Sequence, residues 1–136
     1  MKQKSFKIPE TAKGKAIGAE MYRRLFLSAI KDLGIEKPQE EYRIYIKGKE
    51  KGEHPSRIDF AWEDIKMAVE IEGGVWSGGR HVRGKGYLHD MLKYNWLSLN
   101  GWTLLRYTWQ TINYKEIAEF YFISKKVFNK LDKLHI

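Results

Sequence analysis

Acidic side chains interrupt two neighbouring apolar segments of this 136-residue sequence. Asp59 lies within the segment RIDFAWE, and Glu70 and Glu72 lie within the segment KMAVEIE that follows it. Both segments alternate between apolar and polar residues, which predicts two β-strands joined by a hairpin turn. For any short turn of even length centred between the segments, Asp59 is opposite Glu70 on one face of the hairpin. Glu72 follows on the same face.

Two carboxylates in this position predict a bound cation. Directly opposed side chains have Cβ atoms about 4.5–5.5 Å apart, and like charges at that separation are destabilising. Mg²⁺ is typically bound by one or two carboxylates together with water and substrate phosphate, so it would relieve the repulsion. Two alternatives stay open: the acids form a solvated face of the sheet, or they pair with Lys66 or a nearby arginine.

A glycine-rich segment, GGVWSGGRHVRGKG, follows the second strand. Its arginines and lysine suit contacts with phosphate groups, and they are Arg80, Arg83 and Lys85. His81 could transfer a proton near neutral pH, and Trp76 could stack on an unpaired base. A solvated loop is the alternative for each. Acidic residues that can bind a metal, next to basic residues that can bind phosphate, indicate phosphodiester chemistry.

The elements that must position these residues follow from apolar periodicity and turn signals. They are helix 17–33, strands 42–46, 57–63 and 66–72, helix 87–99, strand 102–109 and helix 114–134. Gly34 is the predicted stop of the first helix, and Asn100-Gly101 that of the second. This order, α-β-β-β-α-β-α, predicts an α/β fold with a small mixed sheet flanked by helices.

The two later helices each have a predicted core-facing side. For helix 87–99 it comprises Leu88, Met91, Leu92, Trp96 and Leu99. For helix 114–134 it comprises Ile117, Phe120, Tyr121, Val127, Phe128 and Leu131.

Composition limits the class of protein. The length predicts one domain over residues 1–136, with a basic arm at residues 1–15. There are 25 Lys+Arg against 17 Asp+Glu, and the resulting net charge of +8 favours a polyanionic partner. The absence of cysteine excludes disulfides, cysteine-bound zinc and thiol chemistry. No apolar run is long enough for a membrane span and no secretory signal is evident, so we expect a cytoplasmic protein without a membrane partner.

The segments IDFAW, AVEIEGGVW, GRHVRGKGY and GWTLLRYT, within residues 57–108, resemble the PD-(D/E)xK nuclease superfamily. The closest resemblance is to small Vsr-like and DUF559-like endonucleases and similar stand-alone phage or bacterial proteins. This resemblance implies a restriction-endonuclease-like core in which Asp59 is the first metal-binding acid and Glu70 the second. It also implies Mg²⁺ as the cofactor, with Mn²⁺ as a substitute, and Glu20 on the first helix as a further ligand.

One position departs from the family pattern. The lysine usually found two residues after the second acid is replaced by Glu72. Some branches tolerate an acid there, and some supply the lysine from the following helix. Lys93, in the segment DMLKYN, is the candidate for such a relocated lysine. Glu72 would then be a third metal ligand, an activator of the attacking water, or a sign of altered activity.

We therefore expect a metal-dependent endonuclease that hydrolyses phosphodiester bonds in DNA. Either His81 or Lys93 would orient or deprotonate the attacking water. The alternative is a catalytically inactive nucleic-acid-binding module that retains the nuclease fold, and a weaker third option is a general basic interaction protein. The sequence does not specify the structure of the DNA substrate or whether RNA is also accepted. It also leaves open whether a homodimer forms to cut both strands.

Overall fold

The computed structural model describes residues 12–47, 53–73 and 85–134. Its helices are α1 (Ala12–Asp32), α2 (Lys85–Leu99) and α3 (Tyr114–Lys133). Its strands are β1 (Gln39–Lys47), β2 (Glu53–Trp62), β3 (Met67–Glu72) and β4 (Thr103–Thr108). The predicted α/β class and element order are confirmed. The main difference is at residues 53–56, which were predicted as loop but begin β2.

The chain forms two compact units. The first ends at Lys37 and contains α1, and the second starts at Pro38 and contains the sheet with α2 and α3. No helix in the described part of the chain is long and apolar enough to span a membrane.

The four strands form one mixed sheet in the order β1-β2-β3-β4. The first two pairings are antiparallel, whereas β3 and β4 are parallel and are connected through α2. A parallel pair needs such a crossover, since a short turn can join only antiparallel neighbours. The hairpin of β2 and β3 has the predicted register, with Phe60 opposite Val69 and Trp62 opposite Met67.

Both faces of this hairpin are buried. On one face, Trp62 contacts the ring of Tyr121 from α3, with 6.1 Å between the ring centroids. On the other face, Ala61 and Ala68 belong to a buried cluster with Leu97 of α2 and Trp102. The face that carries Glu70 is therefore covered by a helix.

The predicted core-facing side of α2 is wrong for four of its five residues, whereas Trp96 is half-buried and packs against the core cluster as predicted. Leu88, Met91, Leu92 and Leu99 are exposed, at 42–85%, and among residues 88–99 the buried side chains are those of Lys93 and Leu97. Apolar residues occur around much of this helix, and the prediction counted a lysine as outward-facing. For α3, Ile117 and Tyr121 are buried as predicted, but Val127, Phe128 and Leu131 are exposed.

Glycines end α1 and α2 in the same way. Gly101 has φ +76°, the amide of Trp102 donates to the Leu97 carbonyl at 2.9 Å, and the amide of Gly101 donates to the Ser98 carbonyl at 3.3 Å. These bonds define a Schellman motif, in which a left-handed residue caps the last turn. Gly34 ends α1 with equivalent bonds. Both stops were predicted.

We expect Gly101→Ala to lower the free energy of unfolding by about 1–2 kcal/mol, because L-residues resist the left-handed conformation. The added Cβ would meet only Lys66 atoms at 3.9 Å, an ordinary contact, so the loss would come from the backbone. Urea denaturation measures the change. Gly73→Ala is the control, since a Cβ added there would meet no atom of the described residues within 4 Å. An equal loss of stability in both variants would contradict the backbone conformation at Gly101 as its cause.

Candidate functional site

Glu70 is a buried acid in the middle of the sheet. It lies on β3, which has a strand on each side, and only 6% of its surface is exposed. Its carboxylate forms an ion pair with Lys93 of α2, which is 8% exposed. Lys93 lies one helical turn before the buried Leu97, so the packing that covers the sheet also directs the lysine toward Glu70. The solvated-face alternative is therefore wrong for Glu70.

Burial is the largest single influence on the pKa of Glu70 and raises it, whereas the charge of Lys93 and its contact with the carboxylate lower it. The negative charge of Asp59 raises the pKa further, whereas Arg106 lowers it. Apart from the ion pair, Glu70 Oε1 accepts no hydrogen bond within the described residues. The net direction is upward, so burial and the charge of Asp59 together outweigh the effect of the neighbouring cations on the pKa of Glu70.

Asp59 lies where β2 and β3 stop pairing. The last pair toward this end is Phe60 with Val69, and the same register continued by one residue sets Asp59 opposite Glu70. Asp59 Oδ2 accepts a hydrogen bond of 2.9 Å from the Ile71 amide, so this side chain is held against the backbone beside Glu70. The predicted juxtaposition is supported by this bond and by the effect of Asp59 on the pKa of Glu70.

Glu72 is bound by an arginine, so the alternative that an acid pairs with an arginine holds for Glu72, although the sequence analysis did not name Arg106. Arg106 of β4 is the parallel-strand partner of Glu70, and its Nε donates to Glu72 Oε1 at 2.9 Å. Its guanidinium also lies 4.4 Å from the centre of the Tyr94 ring, and the Tyr94 hydroxyl donates to Glu72 Oε1 at 3.4 Å. Burial raises the pKa of Tyr94. Arg106 thus supplies a positive charge beside the acids.

An open cavity of about 650 Å³ adjoins Asp59 and Lys93. The strands β1 and β2 provide one wall, and α2 provides the other. The remaining lining residues are Glu41, Arg43, Pro55, Ser56, Arg57, His89 and Asp90. His89 and Lys93 are one turn apart on α2, and His89 had no role in the predictions.

The other predicted site residues fall elsewhere. Trp76, Arg80, His81 and Arg83 lie outside the described residues, and Lys85 is the first residue of α2. Glu20 lies on α1, in the first unit, where its Oε1 is 3.1 Å from Arg24 Nε. Within residues 12–47, 53–73 and 85–134, no three His, Asp or Glu side chains converge as a metal-binding group.

The donor set of Asp59 and Glu70 fits a hard divalent cation. Each carboxylate has one oxygen engaged by the protein, Asp59 Oδ2 with the Ile71 amide and Glu70 Oε1 with Lys93. The second oxygen of each could coordinate a metal, and Mg²⁺ often uses only two carboxylates, with water and phosphate completing its shell. A cation here would also offset the charge that burial disfavours on Glu70.

Lys93→Met leaves Glu70 buried without its ion-pair partner. We expect the free energy of unfolding in EDTA to fall by about 3 kcal/mol or more at pH 8. The folded-state pKa of Glu70, already above its ordinary value of 4.5, would rise further. Because a raised pKa means the folded state binds the proton more tightly, the loss should shrink as pH falls toward 4.

Urea denaturation at pH 4, 6 and 8 tests this dependence. Lys126→Met, at an exposed position of α3, is the control and should change stability little at any pH. The double variant Glu70→Gln/Lys93→Met should recover most of the stability at pH 8, because no unpaired charge stays buried. A loss for Lys93→Met that is independent of pH would contradict the role of Glu70.

Comparison with known proteins adds no relative to this description. No family model, curated protein or solved structure matches the chain.

Proposed function

We propose that this protein is a metal-dependent endonuclease with a restriction-endonuclease-like core, hydrolysing phosphodiester bonds in DNA. The observation that carries the proposal is the buried Glu70–Lys93 ion pair beside Asp59. A fold without a site has no need for this arrangement, because a buried ion pair is often no more stabilising than apolar residues of similar volume. The excess of basic residues is compatible with a DNA substrate.

In this proposal Asp59 and Glu70 bind Mg²⁺, for which Mn²⁺ substitutes, and Glu72 is a further ligand, directly or through water; the role of Glu20 as a ligand stays a prediction of the resemblance. Bound Mg²⁺ would polarise the scissile phosphate and lower the pKa of a water molecule. The relocated lysine of the resemblance corresponds to Lys93, which contacts the second acid from α2 rather than from β3.

The protein's own residues have separate roles in positioning the acids and balancing their charge. Lys93 holds Glu70 in place and puts an ammonium group at the cavity, where it can orient the attacking water and attract a phosphate oxygen. The Ile71 amide fixes Asp59. Arg106 balances Glu72, so that the acids do not repel the DNA backbone as strongly as three uncompensated charges would. His81, Arg80, Arg83, Lys85 and Trp76 are the proposed loop contributions to catalysis and DNA contact.

Cleavage of supercoiled plasmid and labelled branched DNA tests the activity. We expect nicking with Mg²⁺ or Mn²⁺ and none in EDTA. Glu70→Gln and Asp59→Asn should each lower the rate by about 100-fold or more, the loss typical when an electrostatic contact to the transition state is removed. Glu119→Gln, at an exposed acid 3.9 Å from Lys115, is the matched control and should cut normally. Full cleavage activity of Glu70→Gln would contradict the proposed function.

The inactive binding module is the second candidate, because the protein's own cations already engage Glu70 and Glu72. Calorimetric titration with Mn²⁺ separates the two. A nuclease should bind Mn²⁺ and lose that binding in Asp59→Asn and Glu70→Gln, whereas a pure binder should bind DNA equally with and without metal. The same titration of Glu72→Gln and Glu20→Gln tests whether those acids are ligands. A general basic interaction protein would show neither metal binding nor cleavage.

A further inference from the structure

Two arginines face each other across the β1–β2 ladder. Arg43 and Arg57 are direct partners in the antiparallel register, both are exposed, and both line the cavity beside Asp59. Like charges directly opposite each other destabilise a sheet. The wall of the cavity therefore contains a repulsive cationic pair.

The protein compensates this pair only in part. Glu41 Oε2 lies 3.5 Å from Arg57 Nη1, a long contact between two side chains that are 49% and 64% exposed. Exposed pairs of this kind contribute little, because water screens them. The side chain of Arg43 forms no ion pair or hydrogen bond with another residue of the described ranges, although its backbone belongs to the β1–β2 ladder. Glu41 also has a left-handed backbone, with φ +49°, between the paired positions Glu40 and Tyr42 of β1.

The chemistry of the cavity indicates its ligand. A guanidinium group matches two phosphate oxygens, which makes an arginine pair a suitable phosphate contact. No Phe, Tyr or Trp side chain lines the cavity in the described part of the chain, and His89 of α2 is its one aromatic ring, so the strand wall that carries the arginines offers no aromatic surface on which a base could stack. The volume of about 650 Å³ is sufficient for a nucleotide-sized group. The sugar–phosphate backbone is therefore a better match than a base.

Strand geometry relates this pair to the acids. Arg57 and Asp59 are two residues apart on β2 and line the same cavity, which separates them by about 6.6 Å along the strand. That separation is of the order of one nucleotide step along a phosphodiester backbone. We propose that Arg43 and Arg57 bind the phosphate adjacent to the scissile one. This inference rests on the proposed nuclease function and adds a phosphate subsite on the strand wall.

Binding measurements test the subsite directly. The probe is a fluorescein-labelled DNA oligonucleotide, single-stranded or duplex, titrated in EDTA at several salt concentrations. Arg43→Gln and Arg57→Gln should each weaken binding about 5–10-fold and lower the slope of log K against log salt by about 1. Lys126→Gln removes one exposed charge outside the cavity and is the control. Arginine variants that match this control would overturn the inference.

Glu41→Gln should have the opposite effect. It removes the carboxylate that competes for Arg57, so DNA should bind more tightly than to the wild type. Thermal unfolding checks that the variants fold. Because the substitution of either arginine removes like-charge repulsion, their melting temperatures should equal or exceed that of the wild type.

A modified substrate locates the contact. A single methylphosphonate, which is uncharged, next to the scissile phosphate should slow cleavage by the wild type at one of the two adjacent positions. The same modification should have little further effect on Arg43→Gln or Arg57→Gln, because the contact is already lost. Equal sensitivity of wild type and variants would refute the assigned position.

The outcomes separate this inference from the nuclease proposal. If the wild type cuts DNA but the arginine variants behave like Lys126→Gln, the subsite is wrong and the nuclease stands. If the wild type neither binds Mn²⁺ nor cuts, while the arginine variants lose DNA affinity, the nuclease is wrong and the cavity remains a nucleic-acid contact without a scissile phosphate.

Discussion

The ion pair between Glu70 and Lys93 constrains the rest of the structure. It joins β3, one of the two interior strands of the sheet, to the helix that covers it, and both residues are more than 90% buried. Removing two charges from water is costly, and their mutual attraction recovers that cost only when the geometry is held closely. The sheet order and the packing of α2 against Ala61 and Ala68 provide this geometry.

The sheet brings side chains of like charge together at two places on neighbouring strand pairs. Asp59 and Glu70 form the acidic pair on β2 and β3, and Arg43 and Arg57 form the basic pair on β1 and β2. Each pair is unfavourable in isolation, but the two suit ligands of opposite charge, a small cation and a polyanion. A cation beside a phosphate would satisfy both, so two local conflicts are consistent with a single ligand assembly.

The sequence was most informative where a rule depends on local order. The alternation of RIDFAWE and KMAVEIE predicted the hairpin register and therefore the approach of Asp59 to Glu70, and the glycines at 34 and 101 predicted two helix ends. The relocated lysine was suggested by resemblance, and the structure brings Lys93 to Glu70. Predicting these features requires only the order of neighbouring residues or a spacing known from the resemblance.

The features that sequence reasoning missed depend on contacts between distant elements. Arg106 meets Glu72 because β3 and β4 are parallel, and nothing local to either strand specifies that register. The buried side of α2 includes Lys93, which any hydrophobic periodicity assigns to the surface. Arg43 and Arg57 both lie in predicted strands, but the register between β1 and β2 that makes them partners was not predicted. In each case the contact depends on an element that is distant in sequence, so the local pattern could not predict it.

The short connection after α2 limits which changes of chain length the protein can tolerate. Leu99 and Thr103 are separated by three residues, and the Schellman motif at Gly101 fixes both the end of the helix and the start of β4. Insertion of one residue within α2 beyond Lys93 would turn the lysine about 100° around the helix axis relative to this anchor. Lys93 would then leave Glu70. Among homologous sequences, alignment gaps should therefore be rare between positions 93 and 103, whereas substitutions on the exposed side of the helix should be common.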